Sequence, residues 1–170
     1  MTTPGHVDFY AIVLFIHIVA AVIAFGVTFA YPIIDGVARK LDPRSMPSVY
    51  EAQMAISRRL TAPAAVVVLV AGIYMATSDR WSNSSSGWWS GALVLLIVIV
   101  GLDHGFMVPN ARRLRDLAAL ELQRSGSGSG DTVTFSAEYE RLLRQRAAIG
   151  AVIWLLVVVA LFVMVVKPGA

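Results

Sequence analysis

Three ionisable side chains stand inside apolar sequence, and only these could do chemistry within a membrane: His17 in "LFIHIVAAV", and Asp103 with His104 in "LLIVIVGLDHGFMVPNARR". An imidazole can ligate haem or a metal, and a carboxylate beside an imidazole can pass a proton. Either group can equally serve as hydrogen-bonded glue between helices. Because charge in hydrocarbon is costly, each is a functional candidate.

Helical spacing assigns their faces. Tyr10, Ala20, Ala21, Ala24 and Thr28 fall on the side of the helix that carries His17, giving a stripe of small and polar residues that packs against other helices. His17 is therefore expected to point into the bundle, with Ala20 and Ala24 as helix-packing positions. There it is either a ligand to haem or a metal, a proton carrier, or a neutral histidine bonded to a neighbour. In "GLDHG" a turn of about 100° per residue puts Gly101 and Gly105 on one face. These glycines predict a close helix contact with His104 at its edge. Asp103 points away from it, toward another helix or the inner surface. There it is an ion pair with Arg58, Arg59 or Arg112, or a proton or ligand site. A haem shared by His17 and His104 needs both at one depth. At 1.5 Å per residue they lie about 12 Å and about 18–24 Å below the outer surface, which argues against sharing.

The elements that must hold these residues are set by composition. Of 170 residues 57% are hydrophobic and 15% charged, against about half and about a quarter in soluble domains. Stretches 9–29, 60–77, 88–107 and 147–166 each approach the roughly 20 apolar residues that a helix needs to cross a bilayer. The expected fold is all-α: a single polytopic membrane domain over residues 1–170, a four-helix bundle with helical extensions. The first stretch has no Lys or Arg before it and is of spanning length, so it reads as a retained helix and not as a cleaved signal. With no cysteine, disulfides, thiolate metal sites and Cys nucleophiles are excluded.

Twelve of the fourteen Lys and Arg fall in loops 33–59 and 110–146, leaving Arg80 and Lys167 on the other side. By the positive-inside pattern both loops are cytoplasmic and both termini outside. The positive net charge thus reports topology and anionic lipid contact; nucleic acid is not an expected partner. The partners implied are the bilayer and, through small-residue faces, a homo-oligomer or a larger membrane complex. Loop 33–59 opens with breakers at Pro32, Gly36, Pro43 and Pro47 and turns helical at Ser48, read as a cap, with Pro63 a kink site in the helix that follows. Residues 125–130, "SGSGSG", are a flexible linker; before it "ARRLRDLAALELQR" continues the third helix, and after it Ser136 caps a helix that runs into the fourth span.

"IHIVAAVIAFG", "TAPAAVVVLVAGIYM" with Pro63 and Gly72, and a third helix opening at Trp88 resemble an uncharacterised family of small bacterial four-helix integral membrane proteins. That family is similar to the copper-resistance D proteins and more distantly to the J-type protoporphyrinogen oxidases. The resemblance implies a bacterial cytoplasmic membrane and a haem or copper role for His17. The oxidases also use a membrane lysine, and Lys40 and Lys167 lie outside the spans. No Gly-x-Ser-x-Gly elbow, phosphate loop or pair of catalytic carboxylates occurs, so the chain does not read as an enzyme. The expected function is that of a small membrane protein holding haem or another ligand through His17, against a structural or assembly protein, or a small transporter or proton-coupled subunit built on Asp103.

Overall fold

The computed structural model describes residues 8–77, 87–125 and 133–167. The outer connection with Arg80 and Trp81, most of the SGSGSG linker and Ala170 lie outside them. Four long helical rods run over Phe9–Leu41, Pro43–Thr77, Trp88–Arg124 and Ala137–Val166, each long and apolar enough to span a membrane. The shortest has 30 residues, or roughly 45 Å, so every rod outruns a hydrocarbon core of about 30 Å.

The first rod is α1 (Phe9–Gly26), a 3-10 turn and α2 (Tyr31–Leu41). Pro32 and Gly36 do not break it. Pro32 falls in the first turn of α2, where a missing N–H costs little. In the second rod, α3 (Met46–Ile56) and α4 (Ala62–Thr77) are joined by a π-helical turn, Ser57–Thr61. Ser48, expected as a cap, is inside α3; Asp42 does the capping, its carboxylate accepting from the Arg44 N–H at 3.0 Å. The third rod repeats the device: α5 (Trp88–Leu102), a π turn at Asp103–Met107, and α6 (Val108–Arg124). Both π turns end two residues before a proline, Pro63 and Pro109. A proline has no N–H to offer, and the ladder shifts before it: Ala62 N–H reaches the Ser57 carbonyl and Val108 N–H that of Asp103. The fourth rod, α7 (Ala137–Val166), is capped by Ser136, whose Oγ accepts from Tyr139 N–H at 3.2 Å, with Glu138 and Glu140 in its first turn.

α1 packs chiefly on α4, α5 on α7, and α3 on α6. The outward faces of the apolar halves are bare aliphatic and aromatic side chains such as Phe15, Val22, Leu155 and Phe162, as a lipid-facing surface requires. The densest packing is in the extensions, where Met46, Tyr50, Leu114, Ala118 and Tyr139 are wholly buried in one cluster. The physical reason is solvent. Extensions in water gain from hiding apolar surface, whereas helices in lipid gain nothing by exchanging a lipid tail for a leucine.

Candidate functional site

Where the apolar halves meet the extensions, polar side chains from all four rods turn inward. Arg146 on α7 is almost fully buried. Its Nη1 donates to the Met107 carbonyl at 3.1 Å, its Nη2 to Gln53 Oε1 at 2.8 Å, and its Nε lies 3.7 Å from Asp35 Oδ2. Gln53 closes the triangle, its Nε2 donating to Asp35 Oδ1 at 2.7 Å. One amide thus bridges both members of a buried ion pair, which supplies the hydrogen bonds such a pair needs to offset its desolvation. Beneath it, Tyr50 and Tyr139 join hydroxyls at 2.8 Å.

Asp103 lies one step further toward the apolar halves. Ser57 Oγ donates to its Oδ2 at 3.2 Å. The two residues are the first of the two π turns, so the prolines that set those turns also bring this pair together. The basic partner expected for Asp103 is not found among the described residues. Arg58, Arg59 and Arg112 stay on exposed faces, where water or lipid headgroups solvate them better than a half-buried carboxylate would. A cavity of about 240 Å³ opens between α2 and α7, with Tyr31, Asp35, Asp103 and Arg146 at its polar side and Ile153 and Trp154 at its apolar side. A second hollow of about 20 Å³, lined by Tyr31, Gln53, Ser57, Asp103 and Arg146 among others, lies behind it. That is room for about one water molecule. Tyr31 lines both; its buried hydroxyl and that of Thr61 face each other closely enough to interact, but without the geometry of an ordinary hydrogen bond.

The other sequence-derived residues are placed elsewhere. His17 is buried in the α1–α4 seam against Gly72, where a Cβ would just reach contact distance, 3.4 Å, from the imidazole Cε1 and anything larger would press on the ring. Its Nδ1 is buried without a hydrogen bond of ordinary geometry, although the ring interacts with the backbone at Val68. Such a nitrogen is what a ligand would want, but the ring is packed flush on α4 and neither of the two cavities touches it. Ala20 and Ala24 are buried on the same face, Ala24 in a cluster with Ala64 and Ala65.

The glycine contact is corrected. Gly101 and Gly105 lie on the exposed face, and a Cβ built on either meets nothing within 4 Å. The third rod turns its other side to the bundle, where Ile99 is buried against Ile153 and Val157 of α7. In lipid the choice turns on van der Waals fit, and Ile99 fits against Ile153 and Val157 where the glycine face meets no neighbour. His104 is accordingly exposed, its Nδ1 3.3 Å from the Val100 carbonyl and 3.4 Å from Asp103 Oδ2. The two neighbours touch after all, because the π turn departs from the rotation of a regular helix. His17 and His104 are not brought together: one fills a helix seam, the other looks outward.

Asp35, Gln53, Tyr31, Ser57 and Arg146 do not stand out as a site in the sequence, because they fall in segments of loop or boundary character. A signal existed. Gln53, Ser57 and Thr61 recur every four residues, a polar stripe leading into an apolar helix, and Tyr31 and Asp35 share that spacing.

Four helices long and apolar enough to span a membrane, gathered around a polar cluster at the end of their apolar halves, define an integral membrane protein. The family model of predicted integral membrane proteins called DUF2269 matches residues 11–168, and the chain belongs to that family. No curated protein and no solved structure matches it.

Proposed function

We propose that this is a membrane binding protein for a small amphiphile, taken laterally from one leaflet into the cavity between α2 and α7. The observation that carries it is the cavity itself, which joins an apolar wall of Ile153 and Trp154 to a polar end of Tyr31, Asp35, Asp103 and Arg146. Its volume of about 240 Å³ suits a head and the first carbons of a chain, with the remainder left in lipid. Ligand sites commonly have this character, apolar with a few converging polar groups. The excess of Lys and Arg in the two long loops supports a cytoplasmic extension end, hence the inner leaflet of a cell membrane. A single cysteine at position 44 of this cysteine-free chain should then label from the cytoplasmic side; labelling from outside would reverse the leaflet.

The reading places function at Asp103 and its neighbours and not at His17, so the likeness to copper-resistance D proteins and the oxidases has no part in it. The test uses Trp154 as reporter, with the full chain in phosphatidylcholine nanodiscs titrated with octanol. A saturable fluorescence change that is lost in Trp154→Phe and weakened in Gly150→Leu, a substitution that fills the cavity, is expected. A linear, unsaturable response in the parent would mean partitioning into lipid alone. It would favour the rival reading, a structural or assembly protein whose polar residues only join helices.

A further inference from the structure

The charges around the cavity pair off unevenly. Arg146 is matched by Asp35 at 3.7 Å, and Arg39 at the cavity mouth is held by Glu140 through two hydrogen bonds. Asp103 is left. Its neighbours are a serine hydroxyl and an imidazole that looks outward, neither of which brings a fixed positive charge. A half-buried carboxylate without a counter-ion is costly in surroundings of low dielectric. A ligand that brings the missing positive charge would relieve that cost.

We infer that the cavity accepts amphiphiles whose head is a protonated amine, with the ammonium seated between Asp103 and Tyr31. This rests on the cavity reading above and names its ligand class. The second observation is independent of charge: Tyr31 is 7% exposed, lines the cavity, and among the described residues its buried hydroxyl has only the Thr61 hydroxyl beside it, with no hydrogen bond of ordinary geometry between them. With Thr61 as its one neighbouring donor, the phenol oxygen keeps acceptor capacity for another. An ammonium carries three N–H donors and no acceptor, which suits a carboxylate and a phenol oxygen together. A carboxylate or phosphate head has the wrong sign for Asp103. The guanidinium of Arg146, which would attract such a head, is charge-matched by Asp35 and held by hydrogen bonds to Met107 and Gln53. An alcohol satisfies Tyr31 and leaves the charge of Asp103 unanswered. A divalent cation is a poor rival, since among the described residues no group of three or more His, Cys, Asp or Glu stands together.

The experiment titrates the full-length protein in phosphatidylcholine nanodiscs with octylammonium, octanol and octanoate, read by Trp154 fluorescence. Octylammonium should bind at least about ten-fold more tightly than octanol, the scale of one charge-assisted hydrogen bond, and octanoate most weakly. Asp103→Asn should bring the amine to the affinity of the alcohol. Tyr31→Phe, which keeps the charge, should weaken the amine several-fold, and it serves if Asp103→Asn does not fold. Equal saturable binding of amine and alcohol, or tightest binding of octanoate, would overturn the amine assignment and leave the cavity standing. An amine preference untouched by both substitutions would overturn it too. No saturable binding by any of the three would bring down the cavity reading itself.

Discussion

Replacing Arg146 by methionine tests the framework of the site more sharply than any other change. Its side chain is 7% exposed and that of its partner Asp35 12%, so removing the guanidinium leaves a buried carboxylate with only Gln53 to hold it. Breaking a buried pair from one side costs about 3–5 kcal/mol. With about 2–4 °C of melting shift per kcal/mol for a chain of this size, Arg146→Met should lower Tm by roughly 6–20 °C. The control is Arg39→Met, which breaks the pair with Glu140, where the side chains are 35% and 31% exposed. Exposed pairs are worth about 0.2–1 kcal/mol, so its shift should stay below about 4 °C. Adding Asp35→Asn to Arg146→Met removes the stranded charge and should restore part of the loss, a coupling that independent sites do not show. The assay is thermal unfolding of the purified chain in detergent, followed by circular dichroism. If Arg146→Met melted within about 2 °C of the parent, or no lower than Arg39→Met, the guanidinium would not be buried and paired and the site would lose its frame.

Two further changes address packing. Tyr50→Phe or Tyr139→Phe strands the other buried hydroxyl of the pair and should cost about 1–3 kcal/mol each, whereas the double substitution should cost clearly less than their sum; additive losses in chemical denaturation would show that the hydroxyls do not bond. Gly101→Leu and Gly105→Leu, with open space around both positions, should stay within about 0.5 kcal/mol of the parent. Gly72→Leu drives a side chain into the imidazole of His17 and should cost about 1–3 kcal/mol. The reverse order of thermal stabilities would mean that the glycine face is packed, against a second copy for instance, and that His17 has room to move.

What the sequence determined by itself is what depends on local composition and on the solvent each segment meets. Apolar runs of spanning length made four helices, because the backbone in lipid must satisfy its own hydrogen bonds. The small and polar face around His17 marked the side that is buried, and Ser136 with two glutamates behind it announced the start of α7. The prolines were visible, but their effect was not. Pro32 has the look of a break but opens α2, while Pro63 and Pro109 follow π turns that aim Ser57 and Asp103 at each other. The orientation of the third rod about its axis could not be read from "GLDHG", because a glycine pair looks the same whether it packs or faces lipid. Only the fit of Ile99 against α7 decides it. The cluster of Asp35, Gln53 and Arg146 joins residues 18 and 93 positions apart. No local pattern encodes such a pairing, since the charges come together only when three separate rods have packed, and there the cost of burying each charge alone selects the partner.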